Sequence, residues 1–404
     1  MIETARFLPY GRQTVEAADV AAVVEVLESD HLTTGPAVGR FERAFAEAVG
    51  APHAVACSSG TAALHLALLA LDPPEGAVCI VPALTFAATA NAVRLCGGRV
   101  VFADVDPETA LLGPAQLEAA IARADGPVAA VLPVDYAGQP APTAELAEMV
   151  RKRGIRIVED ACHALGSRFH DRFGAATVGD GSRADLCCFS FHPVKTIACG
   201  EGGMVTTADP LLAERLRRLR NHGIERDPAR FADRAAAFDA QGEPNPWYYE
   251  LRELGLNYRL SDIHAALGAS QLRKLDAFLA ARRRLVDVYD RLLAPLAPEV
   301  RPLARVANAE PGWHLYVVRI DFPALGIDRA TVMRRLRERG IGSQVHYIPL
   351  HLQPLYRSRN PDLRLPGAEQ FYARCLSLPL FVGMTEQEVE RVVGDLARIL
   401  GLRS

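Results

Sequence analysis

The chain has 404 residues, 50% of them hydrophobic and 23% charged, with a formal net charge of −3 and a pI of about 6.4. This length exceeds one ordinary core, so two packed domains are expected, and the interleaved charges argue against binding to nucleic acid or to a membrane surface. Residues 1–13 lack a sustained apolar stretch, which predicts neither a signal peptide nor a membrane anchor and favours a cytoplasmic protein.

Between about residues 40 and 210, short apolar runs alternate with amphipathic stretches of helical period. The apolar runs occupy residues 53–57, 78–81, 100–103, 128–133, 155–159, 186–190 and 204–207. Strands that alternate with helices predict an α/β fold with a largely parallel sheet and helices on both faces. Because such sheets bind ligands beyond the carboxyl ends of their strands, functional residues are expected directly after these runs.

The alternation stops after residue 224. Residues 225–247 contain several prolines, a charged stretch and an alanine cluster, and they lead into the aromatic residues 247–249. This composition predicts an extended loop or lid.

The last third of the chain has a different pattern. Ser261 and Asp262 are suited to start a helix, and the pattern from there to about residue 294 predicts one long helix that bridges two domains. Strand-like residues 313–320 and 342–347, on either side of the helical stretch 329–339, predict a smaller α+β domain.

Cysteine usage predicts no metal site and no disulfide framework. The eight cysteines include no CxxC pair and no recurring interval. We interpret them as small buried hydrophobic residues, with Cys162 and Cys199 notable because they lie inside the motifs described below.

Two charged side chains follow strand-like runs. Asp160 ends the run 155–159, and Lys195 comes shortly after the run 186–190 and just before the glycine turn 200–203. Taken singly, the aspartate reads as a helix cap and the lysine as a solvated charge. Taken together they are what pyridoxal 5′-phosphate (PLP) chemistry requires, since a lysine amine condenses with the aldehyde and a carboxylate keeps the pyridine nitrogen protonated.

A third strand end carries hydroxyl groups and a glycine. Ser59, Gly60 and Thr61 join the run 53–57 to a helix whose first N–H groups and dipole favour a phosphate, and Ser190 lies near enough in the predicted sheet to add a hydrogen bond. The alternative is a plain helix cap. Phe86 follows the run 78–81, where it would stack on a cofactor ring or serve as a core phenylalanine.

These motifs together resemble the DegT/DnrJ/EryC1/StrS family of sugar aminotransferases. The resemblance rests on SSGTAAL at 58–64, EDACHALG at 159–166, FSFHPVK at 189–195, GEGG at 200–203 and LNYRL at 256–260. It implies the PLP-dependent aspartate aminotransferase fold (type I), with a seven-stranded, mostly parallel sheet in a large domain. We place that domain at residues 1–265 and a small C-terminal domain at residues 266–404.

The resemblance also implies roles for individual residues. Lys195 would form the Schiff base and move protons, Asp160 would pair with the pyridinium nitrogen, and Phe86 would stack on the ring. The other cofactor contacts implied are Ser59, Gly60, Thr61, His163, Ser190 and, from the second subunit of a homodimer with active sites at its interface, Asn257. The residues implied to line the sugar-nucleotide cleft are Tyr10, His222, Tyr258, His346 and Tyr347.

A finer resemblance is to the aminotransferases of pseudaminic acid biosynthesis. It rests on PYGRQ at 9–13, LTTGP at 32–36, HPVK at 192–195, PWYYE at 246–250 and QVHYIP at 344–349. It implies transfer of the amino group of L-glutamate to C4 of the UDP-linked sugar UDP-2-acetamido-2,6-dideoxy-β-L-arabino-hexos-4-ulose. The alternative is another UDP or dTDP 4-keto-6-deoxy sugar, of the bacillosamine or perosamine type, because Cys162, the pair Asp135-Tyr136 and residues 197–199 depart from the family pattern.

Three other classes of protein are alternatives. A pyridoxamine-dependent sugar dehydratase of the same family has histidine at the lysine position, which Lys195 argues against. A nicotinamide dehydrogenase would need a GxGxxG between its first strand and helix, and the chain has none there. A binding module that holds the cofactor without turnover stays open, and added glutamate would distinguish it by failing to convert the cofactor.

Overall fold

A computed structural model describes residues 6–402 of the chain. The helices are α1 Ala17–Leu27, α2 Pro36–Val49, α3 Gly60–Leu71, α4 Ala87–Leu95, α5 Pro114–Ala122, α6 Thr143–Arg151, α7 Pro210–Leu219, α8 Arg234–Ala237, α9 Asp262–Leu272, α10 Leu275–Leu293, α11 Arg329–Glu338, α12 Pro354–Arg357, α13 Pro366–Arg374 and α14 Glu386–Leu400. The strands are β1 His53–Cys57, β2 Val78–Pro82, β3 Arg99–Ala103, β4 Val128–Val131, β5 Arg156–Asp160, β6 Arg168–Asp171, β7 Gly174–Thr177, β8 Leu186–Ser190, β9 Gly203–Thr207, β10 Ile224–Glu225, β11 Glu250–Leu251, β12 Val300–Pro302, β13 Ala309–Glu310, β14 Tyr316–Ile320 and β15 Cys375–Leu378.

The predicted α/β sheet is confirmed. Seven strands form one sheet in the order β1-β9-β8-β5-β4-β2-β3, and each of the seven apolar runs is one of these strands. The pairs among β8, β5, β4, β2 and β3 are parallel, whereas β9 is antiparallel to both of its neighbours. The strand ends of β2, β4, β5 and β8 therefore meet at one edge of the sheet, as expected for a ligand site.

Helix α3 packs directly against this sheet. Its sequence, GTAALHLALLAL, is apolar on nearly every face, and the helix contacts β8, β9, α4 and α7. A helix that is hydrophobic all round is stable only when buried, and nearly all of α3 is buried. Truncation of a core residue such as Leu66, which is fully buried, to alanine is expected to cost about 2–5 kcal/mol.

The C-terminal part has its own core. The antiparallel sheet β12-β14-β15 packs with α10, α11 and α14 around buried residues such as Val318, Leu336 and Leu396. Strand β14 and helix α11 confirm the expectations for residues 313–320 and 329–339. The division of the chain at residues 265 and 266 stays a prediction.

The single long helix predicted after Ser261 is wrong. Ser261 does cap a helix, since its hydroxyl accepts from the N–H of His264 at 3.2 Å, but that helix is α9, and α10 starts only at Leu275. At the junction Lys274 bonds the carboxylate of fully buried Asp19 at 2.6 Å. This ion pair ties the residues between α9 and α10 to α1.

The strand predicted over residues 342–347 is also wrong. The segment pairs with β15 only at Gln344, through an isolated bridge to Ser377. The rest of the segment makes polar contacts of its own, since the Tyr136 hydroxyl donates to the carbonyl of His346 and the Tyr347 hydroxyl lies 3.1 Å from Nε2 of His163.

Residues 225–247 form an extended loop, as predicted. The loop lies between the paired strands β10 and β11 and contains the short helix α8. It is mostly exposed, and the Phe231 ring lies 4.8 Å from the ring of Tyr248. Its role as a lid stays a prediction. Among residues 6–402, no helix combines the length and the hydropathy needed to cross a bilayer.

Candidate active site

A cavity of about 660 Å³ opens at the carboxyl ends of β2, β4, β5 and β8, within the size range of sites for cofactors and small substrates. It lies between this edge of the large sheet and the segments around His314 and residues 344–348. Eleven of the fourteen residues proposed from the sequence line it, namely Tyr10, Ser59, Gly60, Thr61, Phe86, Asp160, His163, Ser190, Lys195, His346 and Tyr347.

Lys195 supplies the amine of this cavity. The whole chain contains only three lysines. Lys152 is exposed beyond the end of α6, and Lys274 is bound to Asp19, so Lys195 alone lines the cavity. Burial lowers the pKa of the Lys195 amine, against the opposing effect of nearby Cys162 and Asp160. The neutral amine, which acts as a nucleophile and base, is thereby favoured.

Asp160 lies at the end of β5 and is 5% exposed. Its Oδ2 accepts a hydrogen bond of 2.7 Å from the hydroxyl of Thr89, which in turn can accept from Thr85 at 2.8 Å. Its Oδ1 accepts from the backbone N–H of Cys162 at 3.2 Å. Both oxygens are therefore held, and the carboxylate has a fixed orientation at the cavity wall.

Two further carboxyl groups are buried near Asp160. Asp135 and Glu159 are 0% and 3% exposed, and burial raises the pKa of each, in Asp135 well above its usual range. Asp135 Oδ2 has no hydrogen-bond partner among the described residues. We therefore assign Asp135 as neutral, so it adds no negative charge behind Asp160.

The N-terminus of α3 forms another wall. Ser59 caps the helix by accepting from the N–H of Ala62 at 3.1 Å, which leaves the amides of Gly60 and Thr61 at the helix start without an intrahelical acceptor. A Cβ on Gly60 would lie 2.7 Å from Cβ and 3.0 Å from Oγ of Ser190, so only glycine lets β8 approach this closely. The wall suits an anion.

His163 and Tyr347 form a hydrogen-bonded pair with a defined direction. His163 Nδ1 accepts from the N–H of Ala137 at 3.3 Å, and its Nε2 lies 3.1 Å from the hydroxyl of Tyr347. Burial, followed by the charge of Lys195, lowers the pKa of His163 well below its usual range, so the ring is neutral. Because Nδ1 accepts, Nε2 carries the hydrogen, and it donates to Tyr347.

His346 is held on both sides. Its Nδ1 lies 2.8 Å from the buried hydroxyl of Ser377, and its ring packs 5.4 Å from the ring of Tyr10. Burial lowers the pKa of His346 to about 3. The cavity therefore presents this imidazole as a neutral group at physiological pH.

Three of the proposed residues lie outside the cavity of this chain. Asn257 and His222 are exposed, and the backbone of Asn257 pairs with Asn221. Tyr258 is partly buried, with its hydroxyl 3.2 Å from Nδ1 of His65. Phe86 does line the cavity, where its side chain is 60% exposed and its ring lies 6.0 Å from the ring of Tyr347.

Sequence reasoning missed Thr89, His314 and Gln353. His314 and Gln353 line the cavity, and Thr89 holds Asp160 from α4. His314 stands at the start of a strand-like run, which is a weak signal for a site, and no local motif marks the other two. Six of the eight cysteines are buried, as predicted, whereas Cys96 and Cys162 are partly exposed, and Cys162 lines the cavity.

The fold and this cavity define an aminotransferase of the aspartate aminotransferase fold. Residues 13–397 match the model of the DegT/DnrJ/EryC1/StrS aminotransferase family, and the chain belongs to that family. This match confirms the family resemblance found in the sequence, and with it the sugar aminotransferase activity.

Solved structures agree with this assignment. The chain is similar to Helicobacter pylori PseC, an aminotransferase involved in the biosynthesis of pseudaminic acid, with 28% identity over 98% of this chain and 100% of that chain and a TM-score of 0.86. It is similar to S. venezuelae DesV, solved in complex with a ketimine intermediate, with 31% identity over 99% and 100% of the two chains and a TM-score of 0.84. The putative sugar aminotransferase Spr1654 from Streptococcus pneumoniae, in its PMP form, gives 29% identity over 98% and 99% and a TM-score of 0.86, and it has also been solved in its PLP form.

Proposed function

We propose that this chain is a PLP-dependent aminotransferase that moves the amino group of L-glutamate to C4 of a UDP-linked 4-keto-6-deoxy-N-acetylhexosamine. The observation that carries the proposal is that Lys195 and Asp160 line the same cavity as the N-terminus of α3. An amine, a carboxylate and a phosphate-binding helix end are the three groups that PLP needs from a protein.

The residues present fit the cofactor. The phosphate would be held by the amides at the start of α3 and by the hydroxyl groups of Ser59, Thr61 and Ser190, in the cradle that Gly60 keeps open. Asp160, held by Thr89, would pair with the pyridinium nitrogen, and Phe86 and His163 would flank the ring. When bound, PLP accepts the electron pair of the broken Cα–H bond into its ring.

The chain's own groups then handle the proton. The Nζ of Lys195 removes the proton from Cα of the donor and returns one to the acceptor, and its lowered pKa favours the neutral amine that accepts the proton. Asp160 would face the ring nitrogen in a fixed orientation, because both of its oxygens are held. Neutral His163 orients Tyr347 without adding a positive charge that would oppose Lys195.

The proposed enzyme is a homodimer in the cytoplasm. The exposure of Asn257 and His222, away from the cavity of their own chain, supports a model in which Asn257 of the partner subunit reaches the phosphate. His222, Tyr258, Tyr10, His346 and Tyr347 are proposed for the sugar-nucleotide cleft.

The proposed acceptor is the UDP-linked sugar of pseudaminic acid biosynthesis, UDP-2-acetamido-2,6-dideoxy-β-L-arabino-hexos-4-ulose. The similarity to PseC supports it, whereas comparable similarity to DesV keeps another UDP or dTDP 4-keto-6-deoxy sugar as the second candidate. The test incubates the PLP-loaded protein and L-glutamate with each keto sugar, and follows 2-oxoglutarate formation and the mass and NMR spectrum of the product. Preferential amination of a dTDP sugar would favour the second candidate, and no amination of any keto sugar would contradict the proposal.

A further inference from the structure

Arg282, on α10, is a buried cation that pairs with no carboxylate of the described residues. It is 1% exposed, and its Nη1 donates to the carbonyls of Trp313, His314 and Leu380 at 3.3, 3.3 and 3.1 Å. Its Nε has no hydrogen-bond partner, and no carboxylate of residues 6–402 lies within 4.0 Å of the guanidinium. Burial lowers its pKa to about 10, which still leaves the group charged at neutral pH.

This arrangement costs the folded state free energy. A charge removed from water is costly unless it is paired, and neutral carbonyls compensate it only in part. Departures from such rules concentrate at functional sites, where stability is given up for activity.

The three carbonyls connect Arg282 to the cavity. His314 lines the cavity, where its ring lies 4.5 Å from the ring of His163. Leu380 donates its N–H to the carbonyl of Tyr10 at 3.0 Å, and Tyr10 is another lining residue. The guanidinium therefore lies directly behind two parts of the cavity wall.

The cavity itself has few permanent charges. Among the described lining residues, Lys195 is the one such cation, Asp160 and Glu201 are the carboxylates, and arginine is absent. The proposed substrates, in contrast, carry the two carboxylates of glutamate and the diphosphate of the nucleotide sugar. We propose that Arg282 is a positioning residue that fixes the wall carrying His314 and Tyr10, and that its charge behind this wall favours anionic substrates. This inference rests on the proposed function.

The test compares binding of glutarate and of UDP to the PLP-loaded protein by titration calorimetry. Arg282→Gln keeps an amide donor for the carbonyls and removes the charge, and we expect glutarate binding to weaken about tenfold, the order of effect of one unit charge across a partly screened interior. Arg282→Lys keeps the charge and should bind within about threefold of the wild type at neutral pH. The matched control is Arg329→Gln, because Arg329 also donates to backbone carbonyls, those of Tyr372 and Cys375, but does not line the cavity.

A pH series separates the charge from a purely structural role. A buried lysine has a lowered pKa. As the pH rises through that pKa, glutarate binding by Arg282→Lys should therefore weaken relative to binding by the wild type. Lys195 and His314 are common to both proteins, so they do not produce this difference. Any one of three results would overturn the inference. They are unchanged glutarate binding by Arg282→Gln, a loss of glutarate binding in Arg329→Gln equal to that in Arg282→Gln, and parallel pH profiles of glutarate binding for Arg282→Lys and the wild type. If Arg282→Gln does not fold, the pH series decides alone. Failure of the wild type to bind glutarate and UDP would instead count against the proposed function.

Discussion

The hydroxyl of Thr89, on α4, donates to Oδ2 of Asp160, at the end of β5, over 2.7 Å. Both side chains are at least 95% buried, so bulk solvent has little access to this bond. A hydrogen bond in such surroundings fixes the orientation of the carboxylate. The orientation of Asp160, the proposed partner of the pyridinium nitrogen, is thus set by a residue 71 positions away in the sequence.

Replacement of Thr89 with valine tests this bond. Valine has nearly the same shape but no hydroxyl group, so Asp160 loses its held orientation, and we expect turnover to fall about tenfold, equivalent to about 1.4 kcal/mol. Steady-state rates with saturating glutamate measure the effect. Thr89→Ser, which retains the hydroxyl, should recover most of the activity; equal rates for Thr89→Val and the wild type would contradict the role of Thr89.

Asp160→Asn should lower turnover by about 10²–10³ while PLP remains bound, because the amide cannot keep the ring nitrogen protonated. The matched control is Asp135→Asn. Asp135 is buried and assigned as neutral, so an amide changes little there, and its rate should stay within about threefold of the wild type. Comparable losses in the two variants would show that Asp160 has no special role.

Much of this site was predictable from the sequence. Asp160, Lys195 and the residues of the α3 start each follow an apolar strand, and parallel strands bring their ends together, so short local patterns were sufficient. Thr89, His314 and Arg282 were not predictable, because each acts through a contact that only the packed fold creates. The strand predicted over residues 342–347 was wrong for the same reason. The alternation of apolar and polar residues there suits a strand, but the segment is held instead by contacts with Tyr136 and His163.

Stability should fall in acid because of the buried histidines. In the unfolded chain an imidazole takes up a proton near its ordinary pKa of about 6.5, whereas folded His346 stays neutral to about pH 3. The unfolded state then binds more protons, so the free energy of unfolding falls by up to about 1.4 kcal/mol per pH unit for each such histidine as pH drops below about 6.5.

His346→Gln removes one of these contributions. Urea unfolding at several pH values between about 6 and 4 should show a shallower loss of stability in this variant than in the wild type. His31→Gln, at an exposed position, serves as the control and should keep the wild-type slope. Parallel slopes for all three proteins would contradict the burial of a neutral His346.

Gly60→Ala should weaken PLP binding by about tenfold or more, because the new Cβ would lie 2.7 Å from Cβ of Ser190 and push apart the cradle proposed for the phosphate. Equilibrium titration with PLP measures the affinity. Gly39→Ala in α2 is the control, since its Cβ meets only the flexible end of Arg43 at 3.4 Å. Wild-type affinity in Gly60→Ala would place the phosphate elsewhere.

In the most direct measurement, the PLP-loaded protein is reduced with borohydride and the modified peptide is identified by mass spectrometry. With only three lysines in the chain, the assignment is unambiguous. We predict the phosphopyridoxyl group on Lys195, its retention in a Lys152→Arg, Lys274→Arg double variant, and its loss together with all turnover in Lys195→Ala. Label on Lys152 or Lys274, or normal turnover in Lys195→Ala, would contradict the account.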